Sequence, residues 1–197
     1  MGNPCWVEKL REGLTAFTDD SIATAVMDGS DNLAERDEHQ KAAWAKQAME
    51  KLDRLVPDED TRYEIMARCS CDCALPLVDD LRENWRKNQD IDDLLEKMYM
   101  NPFYVRPHRE GNVLYFTKAP CHKEDFEKAG TVDDKRYHYC HCDWARAVEL
   151  PISPTHCYCS AGWYKGIFEG IFQRPVKVRL VKSVLQGDDA CEFAVYL

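Results

Sequence analysis

The stretch Asn101-Pro102-Phe103-Tyr104-Val105, followed a few residues later by Val113-Leu114-Tyr115-Phe116, is where the chain changes character. Both are short runs of β-branched and aromatic residues, and the polar segment between them contains Gly111-Asn112. That pattern predicts a hairpin whose first strand begins at 103–105. Upstream, apolar residues recur at helical spacing; downstream, strand and helix patterns alternate. The break at Asn101-Pro102 therefore separates a helical region, 1–101, from an α/β cysteine-rich region, 102–197. Together they predict an α+β fold, with the helical half packed on a C-terminal half that carries an antiparallel sheet.

On the helical side, Asn3-Pro4 offers a cap followed by proline, ahead of Trp6, Leu10, Leu14 and Phe17 on one stripe. Thr18-Asp19-Asp20 starts a second short helix that ends near Gly29. A single longer helix is expected over 31–55, with Trp44, Ala48, Leu52 and Leu55 aligned, until Pro57 stops it. Residues 58–68 restart a helix with acidic residues in its first turn, where they suit the helix dipole. Leu77, Val78, Leu81 and Trp85 form one further stripe, and Ile91, Leu94, Leu95 and Met98 another.

On the other side, Ser153-Pro154 is a cap and proline that open a helix. Gly162, Gly166 and Gly170 recur along it at every fourth residue. Each internal glycine costs about 0.5–1 kcal/mol relative to alanine, so the stripe predicts close packing of this helix on the sheet, with the wall of a ligand pocket as the alternative. Residues 191–197 alternate apolar and polar side chains, and this strand pairs with one that starts near Val176.

Composition limits what the chain can be. With 45% apolar residues in 197, there is enough material for a substantial core. The net charge of -9 repels phosphate backbones and anionic bilayers, so neither nucleic acid nor membrane is expected as a partner. No apolar run approaches the roughly 18 residues of a membrane span, and the N-terminus lacks the features of a signal peptide. A cytoplasmic location is expected, and it governs the ten cysteines. In a reducing compartment, clustered thiols hold metal or do redox chemistry rather than form a disulfide scaffold.

Three Cys-x-Cys units stand out: Cys69-Ser70-Cys71-Asp72-Cys73, Cys140-His141-Cys142 and Cys157-Tyr158-Cys159. Thiolates bind zinc strongly, and residues i and i+2 share a face only where the chain is extended or irregular. The expected ligands are Cys69, Cys71, Cys73, Cys121, Cys140, Cys142, Cys157 and Cys159, with zinc as the metal and an iron-sulfur cluster as the alternative. Cys69 and Cys73 also fit a buried helical stripe with Ile65, whereas Cys71 cannot share that face. Asp143 reads as the cap of a helix over 144–148, which places Cys140 and Cys142 just before that helix, where its partial positive charge favours thiolate. Cys5 and Cys191 carry no assigned role.

The C-terminal order of Cys-x-Cys, helix, Arg174-Pro175-Val176 strand and then Gly187-Asp188-Asp189-Ala190-Cys191-Glu192-Phe193 resembles the end of the 4-vinyl reductase type of small-molecule-binding domain. It is also similar to the family of 2-amino-thiazoline-4-carboxylic acid hydrolase-like proteins. The resemblance covers about 102–197 and implies an antiparallel sheet with helices on one face and, in some relatives, a cysteine-bound metal. The long helical half and the three Cys-x-Cys units depart from that pattern.

The function expected first is a metal-binding module that senses a small molecule, a metal or redox state. A hydrolase is the alternative, using a cysteine thiolate or metal-bound water on a small amide or thiazoline-like substrate, with His122, His138, His141 or His156 as base. A thiol redox protein is the third class. A metal ion is the expected partner, and a small hydrophobic ligand and a homodimer are left open. No phosphate-binding glycine loop is present.

Overall fold

The N-terminal helices form where their caps stand. In the computed structural model, which describes residues 4–71, 78–101, 104–147 and 152–197, α1 spans Pro4–Phe17 and buries Leu10 and Leu14. Helix α2, Asp20–Met27, is capped by the Asp19 side chain, which accepts from the backbone of Ser21 and Ile22. The single helix expected over 31–55 is broken at its start. Asn32 takes a left-handed conformation with φ 56°, a 3-10 turn follows at Leu33–Glu35, and Asp37 and Gln40 then form a capping box that opens α3, Glu38–Leu55. Helices α4 (Glu59–Ala67), α5 (Val78–Asn88) and α6 (Ile91–Tyr99) follow, with Asp58 capping α4 and Asp90 capping α6.

The hairpin is present, but its first strand is not where the sequence pattern put it. Strand β1 is His108–Glu110 and β2 is Val113–Thr117, joined by Gly111-Asn112 with Gly111 at φ 57°. A two-residue turn fixes Glu110 opposite Val113, so the polar residues next to the turn pair and the apolar run further back cannot. Tyr104 enters the core, Val105 is exposed, and Phe103 lies outside the described residues.

Helices α7 (Lys123–Lys128), α8 (Val132–Tyr139) and α9 (Asp143–Ala147) lead to a 3-10 turn at Pro154–Cys157 that runs on into α10, Tyr158–Phe172. Strands β3 (Lys177–Lys182) and β4 (Glu192–Tyr196) complete a four-stranded sheet in the order β1-β2-β4-β3, with every pairing antiparallel. The fold is α+β, and the sheet lies in the C-terminal half.

Helix α10 is the middle layer. Its Tyr164 and Phe168 stack on Phe116 and Phe193 of the sheet, with ring centroids 4.8 to 5.7 Å apart. Its other side meets α4 and α5, and the glycine stripe lies there rather than against the sheet as expected, because the sheet is met by the large rings. A Cβ at Gly162 would lie 2.1 Å from the Ala67 carbonyl oxygen, and one at Gly170 would lie 2.7 Å from Val78 Cγ1. A Cβ at Gly166 would meet nothing within 4 Å. Polar ties cross the same seam, from Lys165 to Glu64 at 2.8 Å and Tyr158 to Glu59 at 2.7 Å, and Thr155 of the 3-10 turn bonds to Asp53 of α3 at 2.6 Å.

One continuous core thus runs from Leu10 through Leu52, Ile65 and Phe168 to Val195. A fragment of 102–197 would expose the face of α10 that α4 and α5 cover, so it is expected to lack a cooperative thermal transition. A sharp melt of that fragment by circular dichroism would contradict this. Among the described residues, no helix is long and apolar enough to cross a membrane.

The sheet ends in an unusual way beside the cysteines. Beyond the Thr117–Glu192 pair, the Lys118 N–H donates to the Cys191 carbonyl at 3.0 Å. The reciprocal bond is replaced by the Tyr139 hydroxyl, which donates to the Lys118 carbonyl and accepts from the Cys191 N–H at 3.2 Å.

Candidate active site

Between α8 and α9 the segment Cys140-His141-Cys142 is not helical, which is the condition under which two thiols of a Cys-x-Cys unit can act together. Cys142 directly precedes α9 and caps it. Its sulfur accepts hydrogen bonds from the backbone N–H groups of Trp144 and Ala145, the role that an oxygen of serine or aspartate usually fills. The partner comes from the 3-10 turn, which starts as expected with the Ser153 hydroxyl accepting from Thr155 N–H and Pro154 in the first position. That turn holds His156, only 2% exposed, with Nε2 3.1 Å from Cys142 Sγ. Trp6 of α1 covers the pair: its ring centroid is 5.2 Å from that of His156 and 5.1 Å from that of Trp144.

The electrostatics single out one thiol. Burial alone would push the Cys142 pKa up, but the charge and hydrogen bond of His156 and the two backbone N–H groups outweigh it, drawing it from 9.0 down to about 7. Its neighbours go the other way. Burial pushes Cys140 up to about 12, and burial together with the negative charge of Cys142 pushes Cys159 up to about 12. Burial also raises Cys157 well above the usual thiol range and raises Cys191. Cys157 Sγ lies 3.2 Å from Ser183 Oγ, and Cys191 bonds to the same hydroxyl. Lys118 Nζ lies 3.1 Å from Ser160 Oγ.

The expected ligands are therefore distributed unequally. Cys140, Cys142, Cys157 and Cys159 gather around the 3-10 turn and the connector before α9, and Cys121 is exposed near Arg146. Cys69 is buried at the end of α4 with its sulfur 3.8 Å from the Ile65 carbonyl, the core placement its helical spacing allows, and Cys71 is exposed. Cys73 lies outside the described residues. Among the described residues, no three His, Cys, Asp or Glu side chains are grouped so as to hold a metal ion. Of the four histidines considered as bases, His156 alone is bonded to a described cysteine. His141 Nε2 bonds to the Ala119 carbonyl at 2.8 Å, while His122 and His138 meet edge to face with centroids 6.0 Å apart.

Sequence reasoning missed Cys191, Ser183 and the covering role of Trp6. Only the first had a local signal, since a strand starting at Glu192 places Cys191 at its entrance. Among the described residues, two buried polar atoms at the pair, His156 Nδ1 and Trp144 Nε1, have no hydrogen-bond partner.

A family model described as a family of unknown function (DUF6144) matches residues 7–197. No curated protein and no solved structure matches the chain.

Proposed function

The chain belongs to the family of unknown function DUF6144, and because that membership brings no reaction with it, we propose from the site alone that this is a cysteine-dependent enzyme with Cys142 as nucleophile and His156 as base. The observation that carries this reading is the 3.1 Å approach of Sγ to Nε2, at the one thiol of the group that ionises near neutrality. A thiolate held by an imidazole at a helix start is the arrangement that makes cysteine a nucleophile at pH 7.

The reaction proposed is hydrolysis of a small amide or thiazoline-like substrate, the class implied by the resemblance of the C-terminal motif. Sγ would attack the electrophilic carbon, and His156 would pass its proton to the leaving nitrogen. It would then take one from the water that cleaves the thioester. A cytoplasmic setting would keep the thiol reduced.

Alkylation by iodoacetamide with mass mapping tests the pair. Cys142 is expected to react first, with a midpoint near pH 7. His156→Gln should move that midpoint toward the free-thiol value of about 8.5 and slow alkylation at pH 7 roughly tenfold. An unchanged midpoint in a variant that still melts cooperatively, or faster labelling of another cysteine, would overturn the assignment.

A second reading keeps the metal-binding, sensing role. Cys142 and His156 facing each other are two donors of the kinds zinc takes, with Cys140 and Cys157 adjacent in sequence. Zinc near one equivalent in freshly purified protein, released together with faster Cys142 labelling, would favour it. A brown sample would point to an iron-sulfur cluster instead.

A further inference from the structure

Cys159 follows His156 by three residues on the continuous run from the 3-10 turn into α10, which returns it to the same side of the helix one turn on. The Trp6 side chain fixes that placement, since it bonds to the Cys159 sulfur while its ring lies 5.2 Å from the imidazole that holds Cys142. Cys142, His156, Trp6 and Cys159 are thus one contiguous group. Among the described thiols around the turn, Cys140 Sγ is turned to the Cys142 carbonyl at 3.9 Å and packs with Tyr139 and Val184, while Cys157 and Cys191 share the Ser183 hydroxyl.

We propose that Cys142 and Cys159 form a redox pair, in which a hydroperoxide oxidises Cys142 and the Cys159 thiol closes a reversible disulfide. This rests on the reading of Cys142 as the reactive thiolate. In the first step the Cys142 sulfur attacks the outer oxygen of the hydroperoxide. The O–O bond breaks, the sulfur becomes a sulfenic acid, and the other oxygen leaves as an alcohol or water after taking a proton. In the second step the Cys159 sulfur attacks the sulfenic sulfur. The S–O bond breaks, and the hydroxyl departs as water with the proton from Cys159, which His156 is placed to carry. Two equivalents of a small thiol return the pair to the reduced form and are themselves joined as a disulfide. Oxidation would take Cys142 away from His156, so the same step would silence the nucleophile.

The test treats the reduced full-length chain with one equivalent of hydrogen peroxide, blocks the remaining thiols with iodoacetamide and maps the linkages by mass spectrometry. The expected product is a Cys142–Cys159 disulfide that a reducing thiol reverses, with complete loss of Cys142 alkylation while it is closed. In Cys159→Ser, and equally in Cys159→Ala, the disulfide should be absent and dimedone should trap sulfenic acid on Cys142. The wild-type linkage map decides the matter even if both variants fold poorly. A disulfide between other cysteines, or direct over-oxidation of Cys142 with no disulfide, overturns the proposal. If Cys142 is alkylated selectively near neutral pH yet forms no such bond, this inference falls alone; if it is not alkylated selectively, the nucleophile reading falls with it.

Discussion

Raising the pH from 9 toward 12 is expected to unfold the protein. Cys140 and Cys159 are pushed up from 9.0 to about 12, chiefly by burial, so the folded chain holds protons there that the unfolded chain gives up. A raised folded pKa contributes stability that is complete below the unfolded value and is lost as pH climbs through the folded one. Three units correspond to about 4 kcal/mol for each thiol, and two such groups rival the roughly 5–15 kcal/mol that holds a domain together. Cys142 acts in the opposite sense: its pKa is lowered to about 7, so its contribution is present above pH 9 and is lost as pH falls through 7. Thermal melts across the alkaline range test the prediction. A transition temperature that stays level between pH 9 and pH 11 would show that these thiols are not buried as described, whereas Cys140→Ala with Cys159→Ala should make the alkaline limb shallower, leaving the part due to Cys157 and Cys191.

The second large effect concerns two glycines one helical turn apart. Gly162→Ala would put a methyl group 2.1 Å from the Ala67 carbonyl oxygen and 2.5 Å from its Cα, so α4 and α10 must separate. Backbone cannot yield as a flexible side chain can, and the expected cost is about 3 kcal/mol or more, at the upper end for overpacking. Gly166→Ala meets nothing within 4 Å and should instead stabilise by about 0.5–1 kcal/mol through helix propensity. The pair is read from denaturant midpoints. Equal shifts in the two variants would mean that the seam between α4 and α10 is looser than this.

Those glycines also show what the sequence made legible. The stripe predicted close approach to the sheet; the approach occurs at Gly162 and Gly170 but to α4 and α5, and nothing local distinguished these from Gly166, because the distinction lies in those two helices. Ser153 was read as a cap and is one, whereas Asp143, read as a cap, is the first residue of α9; the starts at 18–20 and 58 were legible, and Asp19 and Asp58 cap them within two or three residues of themselves. The strand at 103–105 was misplaced because β propensity reports how side chains pack, whereas register near a two-residue turn is set by the turn. For the site, the position of Cys140 and Cys142 before a helix marked both for a lowered pKa, and nothing local told the raised Cys140 from the lowered Cys142. Its partner could not be chosen from four histidines, because no spacing rule links a connector residue to one fourteen positions away in another turn. Trp6 was visible only as one more residue on an amphipathic stripe, since its contact with His156 is wholly tertiary.

The phenol of Tyr139 has a mechanical role at the edge of this region. Facing residues in a hydrogen-bonded antiparallel pair exchange two bonds, and here Lys118 and Cys191 exchange one directly and the other through a hydroxyl. The aromatic side chain therefore acts as a wedge driven into a zipper. It stops β2 and β4 from closing by one more step and holds Cys191 at the fork where the strands part. Tyr139→Phe would remove the wedge, and the two strands would either zip further or leave a buried N–H and carbonyl facing each other empty. If they zip, the sulfur of Cys191 would be carried away from the hydroxyl it shares with Cys157, so a single oxygen atom sets where the sheet ends and how the thiols beside it are spaced.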